Sequence, residues 1–171
     1  MRPRRPAIHS ATPIAPPFSS CPAKTFTRRD GVVTIGRQVA EHCQIVGEVA
    51  RSLMRRYPSD LATALFPVGA ELAAASHDIG KVSPCFYEKL RRACSASADI
   101  EALPGVNPDL ERQWGGHAGV SQVAARGMGA PPYVAEIIGQ HHGFSPSVAG
   151  QRADDQVFGG SAWQQQRVAL V

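Results

Sequence analysis

Aromatic residues are scarce in this chain, at 6% of 171 residues, and no stretch approaches the roughly 20 consecutive apolar residues that a membrane-spanning helix requires. No membrane partner is therefore expected. The four cysteines, Cys21, Cys43, Cys85 and Cys94, form no C-x-x-C pair and no repeat, which argues against a disulfide framework and a zinc ribbon and makes a reducing cytoplasm the simplest compartment. Internal repeats are lacking, as is the period-two alternation of half-buried strands, so the expected fold is all-α. Acidic residues are missing from the first 29 positions, which hold Arg2, Arg4, Arg5, Lys24, Arg28 and Arg29. The formal net charge is +4, with 18 basic against 14 acidic residues, so the remainder of the chain is close to neutral. That balance is compatible with a polyanionic partner but points to weak, salt-dependent nucleic-acid binding by the body alone.

What is present suits one domain, since 43% hydrophobic content is enough for a single core. Residues 1–27 are rich in Pro, Ser, Ala and Arg without periodicity and read as a disordered or loosely docked leader, followed by a folded domain over 28–171. Pro13, Pro16 and Pro17 interrupt what would have to be the apolar part of a signal peptide, although an acid-free leader with Arg and Ser also has the composition of a transit peptide. From Ile35 the pattern becomes helical. His42, Ile45, Val46, Val49, Ala50, Leu53 and Met54 recur at three- and four-residue steps, with His42 on the apolar face. Pro58-Ser59-Asp60 breaks this helix and starts a short one, and Pro67 opens the next, carrying Val68, Leu72 and Ala75 into Ser76-His77-Asp78-Ile79-Gly80-Lys81, with Gly80 as a helix-ending residue.

Phe86 and Leu90 predict a further short helix, and Ser95 to Gly116 reads as a long loop of the kind that often carries function. A helix is predicted from about His117 to Arg126 on the stripe Val120, Val123 and Ala124. Another opens at Pro131-Pro132 and places Val134, Ile137, Ile138 and His141 on one face. After a Pro/Gly/Asp linker, Ser161 is placed to cap a last helix beginning at Trp163.

Five of the six histidines, His42, His77, His117, His141 and His142, fall at helix ends or on apolar faces, and only His9 lies in the leader. A single such histidine is more often a hydrogen-bonded core residue than a ligand. Five together are costly to desolvate unless each finds a partner, and a divalent metal satisfies several at once. Asp78, beside His77, adds a carboxylate able to bridge two cations. Metal would meet the demands of phosphodiester cleavage, a nucleophile at neutral pH and neutralised phosphate charge. The mixed imidazole and carboxylate set favours Mn, Fe, Co or Ni, with Zn or Mg also admitted. Lys81, three residues after Asp78, is placed to neutralise a phosphate, against the plainer alternative of a surface lysine. Phe86, Tyr87, Trp114 and Phe144 are candidates to stack on bases, each weighed against an ordinary packing role.

The order His42, His77-Asp78-x-Gly80-Lys81, His117, His141-His142-Gly143, with Trp163-Gln164 opening the last helix, resembles the HD nuclease domain that precedes the helicase in type I CRISPR-associated helicase-nucleases. The resemblance covers roughly residues 35–170. It implies an HD-domain helical bundle in which one metal ion is held by His42, His77 and Asp78 together with a later Asp. A second ion would take Asp78, His117, His141 and His142, with Asp78 and Lys81 as catalytic residues. It further implies single-stranded DNA as substrate, and a helicase domain or subunit and an RNA-guided surveillance complex as partners. The family's later Asp has no counterpart here, since Asp154 and Asp155 come too early, so the chain is expected to be truncated or a stand-alone subunit. Two other readings remain open: an HD phosphohydrolase acting on nucleotides or cyclic nucleotides, and a catalytically impaired HD module that docks on a partner.

Overall fold

The computed structural model describes residues 15–95, 103 and 106–171. The first half of the leader, with His9, and most of the expected loop between Ser95 and Asn107 lie outside the described residues.

The fold is helical, as expected. Its helices are α1 (Val39–Met54), α2 (Ser59–Leu65), α3 (Ala70–Ser76), α4 (Pro84–Cys94), α5 (Pro108–Gln113), α6 (His117–Gly127), α7 (Pro132–Gly139) and α8 (Gly160–Leu170). Short 3-10 turns occupy Phe18–Ser20, Ile79–Lys81 and Gln156–Phe158. A small antiparallel hairpin lies between the first of these turns and α1, β1 (Thr25–Thr27) against β2 (Val33–Ile35), with Thr25 opposite Ile35. Its turn rests on Asp30, whose carboxylate accepts the Val32 N–H at 3.1 Å, and on Gly31 at φ +81°. Strands of three residues are too short for alternation to reveal, and the Asp30-Gly31 pair was the available signal.

The leader was expected to stay loose through Thr27, but from Ala15 onward it is packed. Cys21 and Ala23 are buried beside Val39, Cys43, Val82 and Trp163, and the Phe18 N–H donates to Gln166 Oε1 of α8 at 2.9 Å. Prolines had masked this segment, because a chain without regular structure can still bury side chains, here Cys21, Pro22 and Ala23 in succession. Two further core groups complete the interior. Ala73, Ile79, Ala124, Ala125, Val134, Ala135 and Ile138 join α3, α6 and α7. Trp114, Val120, Val123, Val148 and Phe158 pack on the other side of α6.

Several local expectations shift. α3 begins after Gly69, which adopts φ +93°, rather than at Pro67, and Val68 and Leu72 are exposed while Ala73 and Ser76 face inward. α5 forms inside the expected loop, with Pro108 at its first turn and the Asn107 side chain accepting the N–H groups of Asp109 and Leu110 at 3.1 Å each. α8 starts at Gly160, so Ser161 lies within the helix and Gly159, at φ +91°, occupies the cap. On α1 the apolar stripe divides. Val39, Cys43 and Gly47 are buried, whereas Ile45, Val49 and Leu53 are exposed. The stripe is wider than the one face that α3 covers.

Close helix contacts set the geometry. A Cβ added to Gly47 would meet Ala75 Cβ at 3.0 Å, so the glycine lets α1 approach α3. That approach brings the ring of His42, on α1, to 5.3 Å from the ring of His77, just past α3. From the far side, the fully buried Arg167 of α8 donates to the carbonyls of Val82, Phe158 and Ala153 at 2.8, 3.1 and 2.8 Å.

Candidate metal centre

Asp78 sits where α3 gives way to the turn Ile79–Lys81, only 2% exposed, and three other segments, α1, α6 and the residues after α7, converge on it. Its Oδ2 lies 2.9 Å from His42 Nε2, 3.1 Å from His77 Nε2 and 2.7 Å from Lys81 Nζ. Its Oδ1 faces the other way, 3.2 Å from His117 Nε2 and 3.5 Å from His141 Nε2. His142 joins this second side through a 3.0 Å approach of its Nε2 to that of His117. The ligand atoms form two groups, His42 with His77 and Asp78, and His117 with His141 and His142. All six residues singled out in the sequence as metal ligands are thus brought together, with Lys81 among them.

Local contacts deliver the rings. His42 is carried on α1. His77 is held because its Nδ1 donates to the Ala74 carbonyl at 2.8 Å, and His141, just past α7, because its Nδ1 donates to the Ile138 carbonyl at 2.6 Å. His117 is the first residue of α6, and Phe86 packs edge-on against it with ring centroids 5.0 Å apart. A carbonyl can only accept, so these two contacts place a proton on each Nδ1 and turn each Nε2 toward Asp78.

The charge state fits cation binding. Burial alone would raise the Asp78 pKa, but hydrogen bonds from His117, His77 and Lys81 and the nearby positive charge hold it well below the ordinary carboxylate range. Burial lowers His42, His117, His141 and His142 below the usual imidazole value. His77 alone is raised: burial works against its charge, but Asp78 and the Ala74 carbonyl outweigh it. His141, its Nδ1 proton on the Ile138 carbonyl, turns its Nε2 lone pair to Asp78 Oδ1 at 3.5 Å, acceptor against acceptor, a pair that a cation between them would satisfy. His141 Nε2 is buried with no hydrogen-bond partner. A divalent ion on each side of Asp78 would satisfy these atoms, and the ring protons held on backbone carbonyls are the outer support that metal-ligating histidines commonly have.

Lys81 is inside the site rather than on the surface: its side chain is 14% exposed, paired to Asp78 and 5.4 Å from the Phe86 ring centre. Asp154 points elsewhere, paired with Arg152 at 3.2 Å, and Asp155 accepts the Arg152 N–H at 2.8 Å. Among the aromatic candidates, Trp114 and Phe86 are buried, Trp114 packing on Phe158 at 5.0 Å, while Phe144 is exposed and stacks parallel to His142 at 6.5 Å. Gly80 does not end a helix. Its N–H donates to Ser121 Oγ at 2.8 Å, and a Cβ there would stand 2.0 Å from the His117 carbonyl oxygen. Ser121 was missed because a buried serine inside a helix has no pattern of its own. Its spacing of four from His117 was the available hint.

A helical bundle with a His-Asp pair at the centre of converging imidazoles defines an HD-type metal-dependent hydrolase domain. The family model described as "Cas3, HD domain" matches residues 23–171, and the chain belongs to that family of HD-type nucleases. No curated protein and no solved structure matches the chain. No helix among the described residues is long and apolar enough to cross a membrane.

Proposed function

We propose that this domain is a cytoplasmic nuclease that hydrolyses the phosphodiesters of single-stranded DNA in CRISPR antiviral defence, using two divalent transition-metal ions. A helicase domain or subunit, guided by an RNA-loaded surveillance complex, delivers the strand. The observation that carries this reading is the two-sided environment of Asp78, whose oxygens each face a separate set of imidazoles. His42, His77 and Asp78 hold one ion, and Asp78, His117, His141 and His142 hold the other. When bound, the ions supply a water-derived nucleophile at neutral pH and neutralise charge on the phosphate oxygens.

The protein's own groups do the remainder. Asp78 fixes the two ligand sets in one frame. Lys81, held beside it, offers a cation to a non-bridging phosphate oxygen as charge builds there. Burial around Phe86 and the His77 and His141 clamps keeps the rings from reorienting. The paired His141-His142 ligands favour this reading over hydrolysis of small nucleotides at a single ion.

The test is manganese- or nickel-supplemented digestion of circular single-stranded DNA, with Asp78→Ala beside the unaltered chain and metal content measured on both. Close to two ions per chain and a loss of cleavage beyond ~100-fold in the variant are expected, since ligand loss costs more than loss of an outer-shell partner. Full cleavage by Asp78→Ala would defeat the two-ion arrangement. Intact single-stranded DNA alongside nucleotide released from small phosphodiesters would replace the substrate class.

A further inference from the structure

The two sides of Asp78 are built differently. His42, His77 and Asp78 belong to α1, α3 and the turn that follows, which pack directly on one another through Gly47 and Ala75. His117 arrives on α6, so its distance from Asp78 depends on how α6 seats against the turn Ile79–Lys81. That seat is narrow: a Cβ on Gly80 would stand 2.0 Å from the His117 carbonyl oxygen and 2.5 Å from the Ser121 nitrogen. Besides the approach of His117 to Asp78, the Gly80 N–H crosses it, donating to Ser121 Oγ at 2.8 Å, between residues 41 positions apart. Ser121 is fully buried. Without its hydroxyl the Gly80 N–H would be a buried donor with no acceptor, a state that folded chains avoid.

We infer that Ser121 is a positioning residue for the second ion site: its hydroxyl pins the His-Asp turn to α6 and thereby sets the separation of His117 from Asp78. It touches neither substrate nor ion. The inference rests on the two-ion reading and deepens it, because it assigns a determinant to one ion site and not to the other.

Cobalt(II) binding, followed by its visible absorption and by calorimetry, tests this in two backgrounds. His42→Ala leaves the His117 side able to bind, and His142→Ala leaves the His42 side. Adding Ser121→Ala to the first is expected to weaken cobalt binding by ~10–100-fold, the usual loss when an outer-shell partner of a ligand is removed. Adding it to the second is expected to change affinity less than ~3-fold, within the context-dependence of such effects. Ser121→Thr, which keeps the hydroxyl, should retain most of the binding on the His117 side and its absorption spectrum. Equal weakening in both backgrounds would reduce Ser121 to a general packing residue and overturn the inference, as would no weakening in either. Absence of cobalt binding by the unaltered chain would instead overturn the two-ion reading, and the inference with it.

Discussion

Replacing Arg167 by methionine isolates an interaction on which the back of the site depends. The guanidinium is fully buried and no carboxylate pairs with it among the described residues. It donates to the backbone carbonyls of Val82, Ala153 and Phe158 and, through Nε, to Gln164 Oε1 at 2.9 Å. Methionine fills a similar volume but strands three carbonyls, at about 1–3 kcal/mol each. Against that loss stands a gain. Burial pushes the Arg167 pKa down from 12.5 to about 10, which at about 1.4 kcal/mol per unit is a charge-burial penalty near 3 kcal/mol that the variant escapes.

The difference is a net loss of about 3 kcal/mol, a large share of the ~5–15 kcal/mol that holds a domain folded. For a chain of this size that lowers Tm by about 6–12 °C. The measurement is thermal and urea unfolding in EDTA at pH 7, so that metal binding adds nothing to either protein. Arg167→Lys should fare no better, because one compact ammonium cannot span three carbonyls. An Arg167→Met protein that melts at or above the unaltered chain would refute the reasoning, showing that desolvation outweighs the carbonyl network.

The remaining expectations are simpler. Glu88 is buried, and although burial would raise its pKa, the Leu103 N–H at 2.8 Å and Arg92 at 2.6 Å hold it below the ordinary 4.5. A lowered carboxylate pKa adds stability that is present above pH 4.5 and lost as pH falls through the folded-state value. Glu88→Gln should therefore cost about 1 kcal/mol at pH 7, discounted for the exposure of Arg92, and nearly nothing at pH 3. A difference in urea midpoint that does not change with pH would contradict this. Deletion of residues 1–27 removes Cys21 and Ala23 from the core beside Trp163, so it should destabilise the domain by about 2–4 kcal/mol on the scale of lost core side chains, read by thermal unfolding. An unshifted Tm would show that this segment contributes no packing.

Much of the site was legible before the fold. Helix ends marked by Pro58 and Pro132 are local events, and the placing of His42 and His117 on helices and of His141 beside the end of one follows from periodicity, which needs only neighbouring residues. The short hairpin, the packed part of the leader and α5 escaped notice because three to six residues carry too little pattern. The exposure of Ile45, Val49 and Leu53 escaped for another reason: an apolar stripe says that a face is oily, while only the position of α3 decides which part of it is covered.

By itself, then, the order of residues determined that the chain is helical and that six candidate ligands lie on helices or at their ends, since both depend on interactions within a turn or two. Only the tertiary structure decided that the two oxygens of Asp78 divide those imidazoles into two sets, that Gly80 is a contact surface and not a helix stop, and that Arg167 is buried among carbonyls. Those features join positions such as 78 with 117, 80 with 121 and 82 with 167. Their geometry is set by how helices seat on one another, and no local pattern encodes that seat.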